Sequence, residues 1–218
     1  LQPIIEVMLG ISPDALSNQI SLSPRVPWHW KEVKVDNIIF GNHKVHFKTS
    51  RTVTSTTFQF QEALENGSIM RLSPSLPLST TIKKVMVNGE SVKYTVFDNA
   101  ESVNLVIDGL VINGRTIVKI IHRNGIGVIP IVNMPEPGST NKGAKVVQQQ
   151  LPDKNFEIFI EGLPNETYQF KVMSHVKIKK ITNGNIVNKK GNIYTVETTI
   201  PHSYQKYMRQ KISINLKY

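Results

Sequence analysis

Six histidines and three pairs of neighbouring carboxylates are the side chains that could move protons or hold a metal. The histidines are His29, His43, His46, His122, His175 and His202; the carboxylate pairs are Glu62 with Glu65, Asp98 with Glu101, and Glu161 with Glu166. Acid/base cleavage of a glycoside needs two carboxyl groups flanking one bond, about 5–10 Å apart according to mechanism. These pairs instead flank expected turns and strand ends, where a carboxylate is ordinarily solvated loop charge. His43 and His46 stand three apart on an expected strand, whose alternation sends them to opposite faces, and no histidine pair has the helical spacing of a metal-binding motif. Ser23, Ser73 and Ser203 lack the setting of a nucleophile elbow. The chain has no cysteine, so disulfides, thiolate zinc sites and a cysteine nucleophile are excluded. The reading assigns no catalytic residue, no metal and no cofactor to these 218 residues.

Aromatic and basic residues point to binding. Trp28 and Trp30 lie two apart, so a strand would present both on one side. Sugar rings stack on such a pair, but packing at the sandwich edge or against a neighbouring domain is the preferred reading, because aromatics dominate core and interface burial. Tyr204 and Tyr207 offer a second stacking platform. The formal charge of +10 attracts anions, and much of it comes from lysines of the last third, including Lys177, Lys179, Lys180, Lys189 and Lys190. These alternate with Val, Ile and Leu, the pattern of a solvated sheet face. The interleaved aromatic and basic signature of a nucleic-acid-binding sheet is missing, which disfavours that partner.

The elements that must position these residues are strands. Period-two alternation dominates, as in Val33 and Val35; Val45 and Phe47; Phe58 and Phe60; Met70 and Leu72; Val103, Leu105 and Ile107; Phe156, Ile158 and Ile160; and Ile212, Ile214 and Leu216. Asn-Gly pairs starting at Asn66, Asn88, Asn113, Asn124 and Asn183 suit two-residue hairpin turns. Short strands, tight turns and no interleaved helices select an all-β fold, an antiparallel two-sheet β-sandwich, over an α/β fold. Two segments depart from this. Ile4, Ile5, Met8 and Leu9 have helical spacing and stop at Gly10, a short N-terminal helical remnant. Asn133 to Lys145, rich in Pro, Gly and Ser, reads as a long surface connection within the sandwich, with a boundary between two small β-domains as the weaker alternative. The expected division is residues 1–10 as a helix tail and 11–218 as one β-sandwich. The longest apolar run, Gly125 to Val132, is too short to span a bilayer and contains Pro130, so no membrane partner is expected. The chain lacks a recognisable secretion signal and looks cut from something longer; the compartment stays open, with an exported location preferred to the cytoplasm.

The opening residues carry a resemblance. Leu9-Gly10-Ile11-Ser12-Pro13-Asp14-Ala15, then Ile20-Ser21-Leu22-Ser23-Pro24-Arg25-Val26-Pro27 and Trp28-His29-Trp30, resemble the junction that ends the α/α-barrel of bacterial glycogen-debranching and glucoamylase-like glycoside hydrolases. There a closing helix leads through Gly-x-x-Pro-Asp-Ala and Leu-x-Pro-x-Leu-Pro-x-x-Trp elements into a C-terminal β-domain. Val26 stands here where leucine is commoner. The likeness continues more loosely through Val33 to Ile38 and Gly41, and rhamnosidase-like enzymes have a comparable junction. It implies a non-catalytic accessory β-domain whose partner is the catalytic barrel of its own parent chain, with the catalytic carboxylates in that barrel. Leu1, Ile5, Met8, Leu9, Trp28 and Trp30 are then the expected domain interface, with an exposed apolar patch at the first four. An autonomous carbohydrate-binding module is the alternative.

Overall fold

The computed structural model describes residues 4–14, 19–40, 43–61, 64, 69–129, 138 and 142–217, with the side chains of 4, 5, 13, 14, 38, 40 and 43 left aside. The fold is all-β, and the chain divides into two compact units, Leu1–Arg123 and Asn124–Tyr218. Sequence reasoning placed one sandwich over 11–218 and its candidate boundary at 133–145. The division instead falls at Arg123/Asn124, at an Asn-Gly pair that reads in the sequence as one more hairpin turn.

The first unit opens with a π-helical turn, Ile4–Leu9, in place of the expected α-helical tail. Its described strands are β1 (Ile11–Asp14), β2 (Gln19–Leu22), β3 (Glu32–Phe40), β4 (His43–Arg51), β5 (Ser55–Phe60), β6 (Ile69–Leu72), β7 (Ser75–Leu76), β8 (Thr81–Val87), β9 (Glu90–Ser91), β10 (Thr95–Asp98), β11 (Val103–Val111) and β12 (Thr116–Arg123). One sheet has the order β1-β2-β6-β11-β10 with β7 also on β11; the other is β3-β4-β5-β12-β8-β9. Pairing is antiparallel except between β2 and β6, where Gln19 to Leu22 run parallel to Ile69 to Leu72. The core lies between these sheets, with Ile20, Met70, Leu72 and Leu105 from one and Phe47, Phe58, Val118 and Ile120 from the other in one buried cluster. Phe47 sits 5.9 Å from Phe60 and 6.5 Å from Phe58 between ring centroids, and each buried ring contributes roughly 2–3 kcal/mol.

The second unit contains β13 (Ile126–Ile129), β14 (Lys145–Gln150), β15 (Asn155–Gly162), β16 (Thr167–Ser174), β17 (Lys177–Thr182), β18 (Asn185–Lys190), β19 (Ile193–Thr199) and β20 (Met208–Lys217). They form two antiparallel sheets, β13-β16-β19-β18 and β14-β15-β20-β17. Alternation is clean where both neighbours are present: Phe156, Ile158 and Ile160 of β15 and Ile212, Ile214 and Leu216 of β20 are buried, while β18, the last strand of its sheet, is exposed throughout. Among the described residues no helix is long and apolar enough to cross a membrane.

Four of the five Asn-Gly pairs are described. Asn88-Gly89, with φ of 50° and 95°, closes the β8–β9 hairpin as expected. The others do not close hairpins. Asn113-Gly114 carries the chain from β11 to β12 and Asn183-Gly184 from β17 to β18, in each case from one sheet to the other. Asn124-Gly125, with φ of 63° and 113°, lies at the boundary of the units. Asn66-Gly67 lies outside the described residues.

Candidate functional site

The junction residues build one compact piece of structure. After the helical turn, Gly10 adopts φ 59°, which is cheap only without a side chain, and a Cβ there would run into the Ser23 carbonyl. The close approach exists because the chain doubles back. β1 pairs with β2, Ser23 donates its N–H to the Gly10 carbonyl at 3.0 Å, and Arg25 donates to the Met8 carbonyl at 2.8 Å. Ser75 then donates to the Pro24 carbonyl at 3.2 Å, tying the proline-bounded stretch to β7.

Trp28 and Trp30 follow on a turn, not on the strand that their spacing suggested. Trp30 N–H donates to the Pro27 carbonyl at 3.0 Å, and β3 starts only at Glu32. Pro27 cannot donate to a ladder. Arg51, at the end of β4, holds both ends of this loop: its backbone N–H donates to the Lys31 carbonyl at 2.8 Å and its Nη1 to the Val26 carbonyl at 3.1 Å. Its Nε and Nη2 are buried without a hydrogen-bond partner among the described residues. Burial pushes the guanidinium down to about 10. Burial also lowers His29, and the Arg51 charge lowers it further, favouring a neutral imidazole at pH 7. The His29 and Trp30 rings meet edge-on with centroids 6.4 Å apart.

The expected interface is only partly an exposed surface. Trp30 is 44% exposed, whereas Trp28 is half-buried. Leu9 is 5% exposed and belongs to the core of the first unit, with Met8 packed against that core. The turn thus spends these two apolar residues on its own unit, and the exposed apolar member is Val7, at 68%. Leu1 and the side chain of Ile5 lie outside the described residues.

Among the carboxylates, Glu161 pairs with Arg209 at 3.1 Å, Asp98 and Glu101 are exposed around a turn, and Glu62 and Glu65 lie outside the described residues. His122 is buried, its Nε2 3.1 Å from the Thr56 hydroxyl, and His46 Nδ1 accepts the Asn37 N–H at 3.3 Å. Among the described residues no three His, Asp or Glu side chains gather as a metal site would require. Tyr204 is fully exposed, with His202 edge-on at 5.4 Å, and the Lys206 ammonium lies 5.7 Å from the Tyr207 ring. Arg51 was missed by sequence reasoning. A single arginine ending a strand of Lys, Thr and Ser carries no local signal, and its partners Val26 and Lys31 are twenty or more residues away.

Comparison with protein-family models, curated proteins and solved structures finds no match to this chain. The functional reading therefore rests on the junction and its geometry.

Proposed function

We propose that this chain is a non-catalytic accessory β-region of a larger bacterial glycoside hydrolase, joined C-terminally to an α/α-barrel that it packs against and supports. The single observation that carries the reading is the junction from Leu9 to Trp30, whose residue order resembles that of the debranching and glucoamylase-like enzymes. Its geometry supports a docking role. Val7 and Trp30, the exposed apolar residues of this region, lie on a turn and a loop held in place by the Arg25–Met8 and Arg51–Val26 bonds. A clamped loop loses little freedom when a neighbour covers it, which favours a permanent interface.

The test is hydrolysis of α-glucosides, rhamnosides and maltooligosaccharides by the 218-residue chain and by its parent under matched conditions. Activity in the parent alone is expected and would name the substrate. Turnover by the 218-residue chain would overturn the reading.

The full exposure of Tyr204 beside Tyr207 favours a second reading, a carbohydrate-binding module. It requires a maltooligosaccharide to perturb the tyrosine signals of that loop, and Tyr204→Ala to abolish the effect.

A further inference from the structure

The second unit carries 13 Lys and Arg against 6 Asp and Glu, which gives it +7 of the chain's +10. Part of that excess is concentrated. Four lysines line one cavity of about 540 Å³: Lys154 from the turn before β15, Lys177 and Lys179 from β17, and Lys217 at the end of β20. No carboxylate is among the described lining residues, and Asn215 adds a side-chain amide. None of the four lysines has an ion-pair partner among the described residues. Three lysines elsewhere do have carboxylate partners: Lys211, on the same β20, meets Glu157, while Lys34 meets Asp36 at 2.8 Å and Lys48 meets Glu32 at 2.7 Å.

The backbone enforces this crowding. Lys177 and Lys217 are direct partners across the β17–β20 ladder, an arrangement of like charges that destabilises a sheet. A bulge between Ile178 and Lys180 leaves Lys179 with no residue opposite it and turns the strand locally. Leu216 donates its N–H to the Lys154 carbonyl at 2.9 Å, which fixes the Lys154 turn against β20. Lysines on an edge strand also guard against edge-to-edge pairing. That explains Lys177 and Lys179 on β17, but not Lys217 on the interior strand β20, nor Lys154 in a turn.

We propose that this cavity is an oxyanion site, taking a small ligand with two or more tetrahedral anions of the phosphate or sulfate class. Such a ligand offsets the repulsion between Lys177 and Lys217 by placing negative charge between ammonium groups that have no ion-pair partner among the described residues. The cavity is larger than one phosphate requires, and among the described residues no aromatic lines it to stack a nucleobase, so a compact polyanion fits better than a nucleic acid. The site lies in the second unit and does not depend on the accessory role proposed above.

Titration calorimetry of the 218-residue chain in low-salt buffer, with inorganic pyrophosphate and separately with a disulfated disaccharide, tests the site. Saturable binding at one site is expected. Tighter binding of the disaccharide would identify a sugar ester as the source of the anions, and equal or tighter binding of pyrophosphate a simple phosphate. Removing both opposed charges with Lys177→Gln/Lys217→Gln should weaken binding about tenfold or more. Lys189→Gln/Lys190→Gln, which removes the same charge from β18 outside the cavity, should leave it nearly unchanged. If the first variant aggregates, Lys179→Gln alone must still weaken binding about threefold. The proposal is overturned if neither probe binds saturably at about millimolar concentration, or if the two double variants lose affinity equally.

Discussion

Arg51 reaches back across the first unit to hold the Val26 carbonyl at 3.1 Å, and the loop between Val26 and Lys31 is thereby closed by one residue at both ends. The cost of that clamp is written in its ionisation. A guanidinium lowered from 12.5 to about 10 is less willing to carry its charge in the folded state than in the unfolded one. The sign follows directly: the penalty is present at every pH below about 10, flat through neutrality, and worth about 3 kcal/mol. Arg51→Met removes it and loses one hydrogen bond of about 1 kcal/mol, so the variant should unfold at higher urea, by a net 1–2 kcal/mol or so. Both tryptophans lie on the clamped loop, so their emission should shift red and their anisotropy fall as the loop loosens. A less stable variant with unchanged emission would show that the guanidinium stabilises the unit instead.

Gly10→Ala should destabilise the first unit by about 2 kcal/mol or more, because the residue needs φ 59° and a Cβ there meets the Ser23 carbonyl. Urea unfolding followed by tryptophan fluorescence reads that unit selectively, since Trp28 and Trp30 are the chain's two tryptophans. An unchanged midpoint would contradict the tight return of the chain at this point.

In the second unit, the Tyr168 hydroxyl accepts the Leu163 N–H at 2.9 Å, and the ring lies so close to Gly162 that a Cβ would sit 2.5 Å from its edge. Tyr168→Phe should cost about 1 kcal/mol through the lost acceptor, and Gly162→Ala more, because the ring must move. Amide exchange checks both: protection at Leu163 should fall in the first variant and along β15 and β16 in the second, with the first unit unaffected.

The Lys211 ammonium, helped by the Gln150 amide, holds the Glu157 carboxyl below the usual carboxylate range. A lowered folded-state value means that this pair stabilises the second unit above about pH 4.5 and that its contribution fades as pH falls through the folded value. The groups are near the surface, so the effect is about 1 kcal/mol or less. Acid titration of stability, read by exchange at β15 and β20, should show a shallower decline below pH 4.5 in Glu157→Gln than in the parent chain. Equal slopes would show that the pair contributes nothing measurable.

Strand content was legible in the sequence because burial on one face leaves a period-two mark, as at Phe156, Ile158 and Ile160. Which strands pair was not. An Asn-Gly dipeptide specifies left-handed dihedrals, and those serve a crossing between sheets at Asn113 and Asn183 as well as a hairpin at Asn88. Trp28 and Trp30 show the same limit: spacing by two describes a strand only where the backbone has ladder partners, and Pro27 starts a turn there. The division at Arg123/Asn124 did not stand out in the sequence, because its mark, Asn124-Gly125, is one Asn-Gly pair among five. Arg51 and the four-lysine cavity are products of long-range register, invisible until the sheets are assembled.

That register also fixes an order of events during synthesis. Every described strand of the first unit has its partners by Arg123, so this unit can complete its fold while the remainder is still being translated. The second unit waits longer, because β15 and β17 both pair with β20, the last of its described strands. Until Met208 to Lys217 have left the ribosome, β15 has an unpaired strand edge on that side. The second unit is therefore most open to edge-to-edge pairing in the interval before β20 emerges.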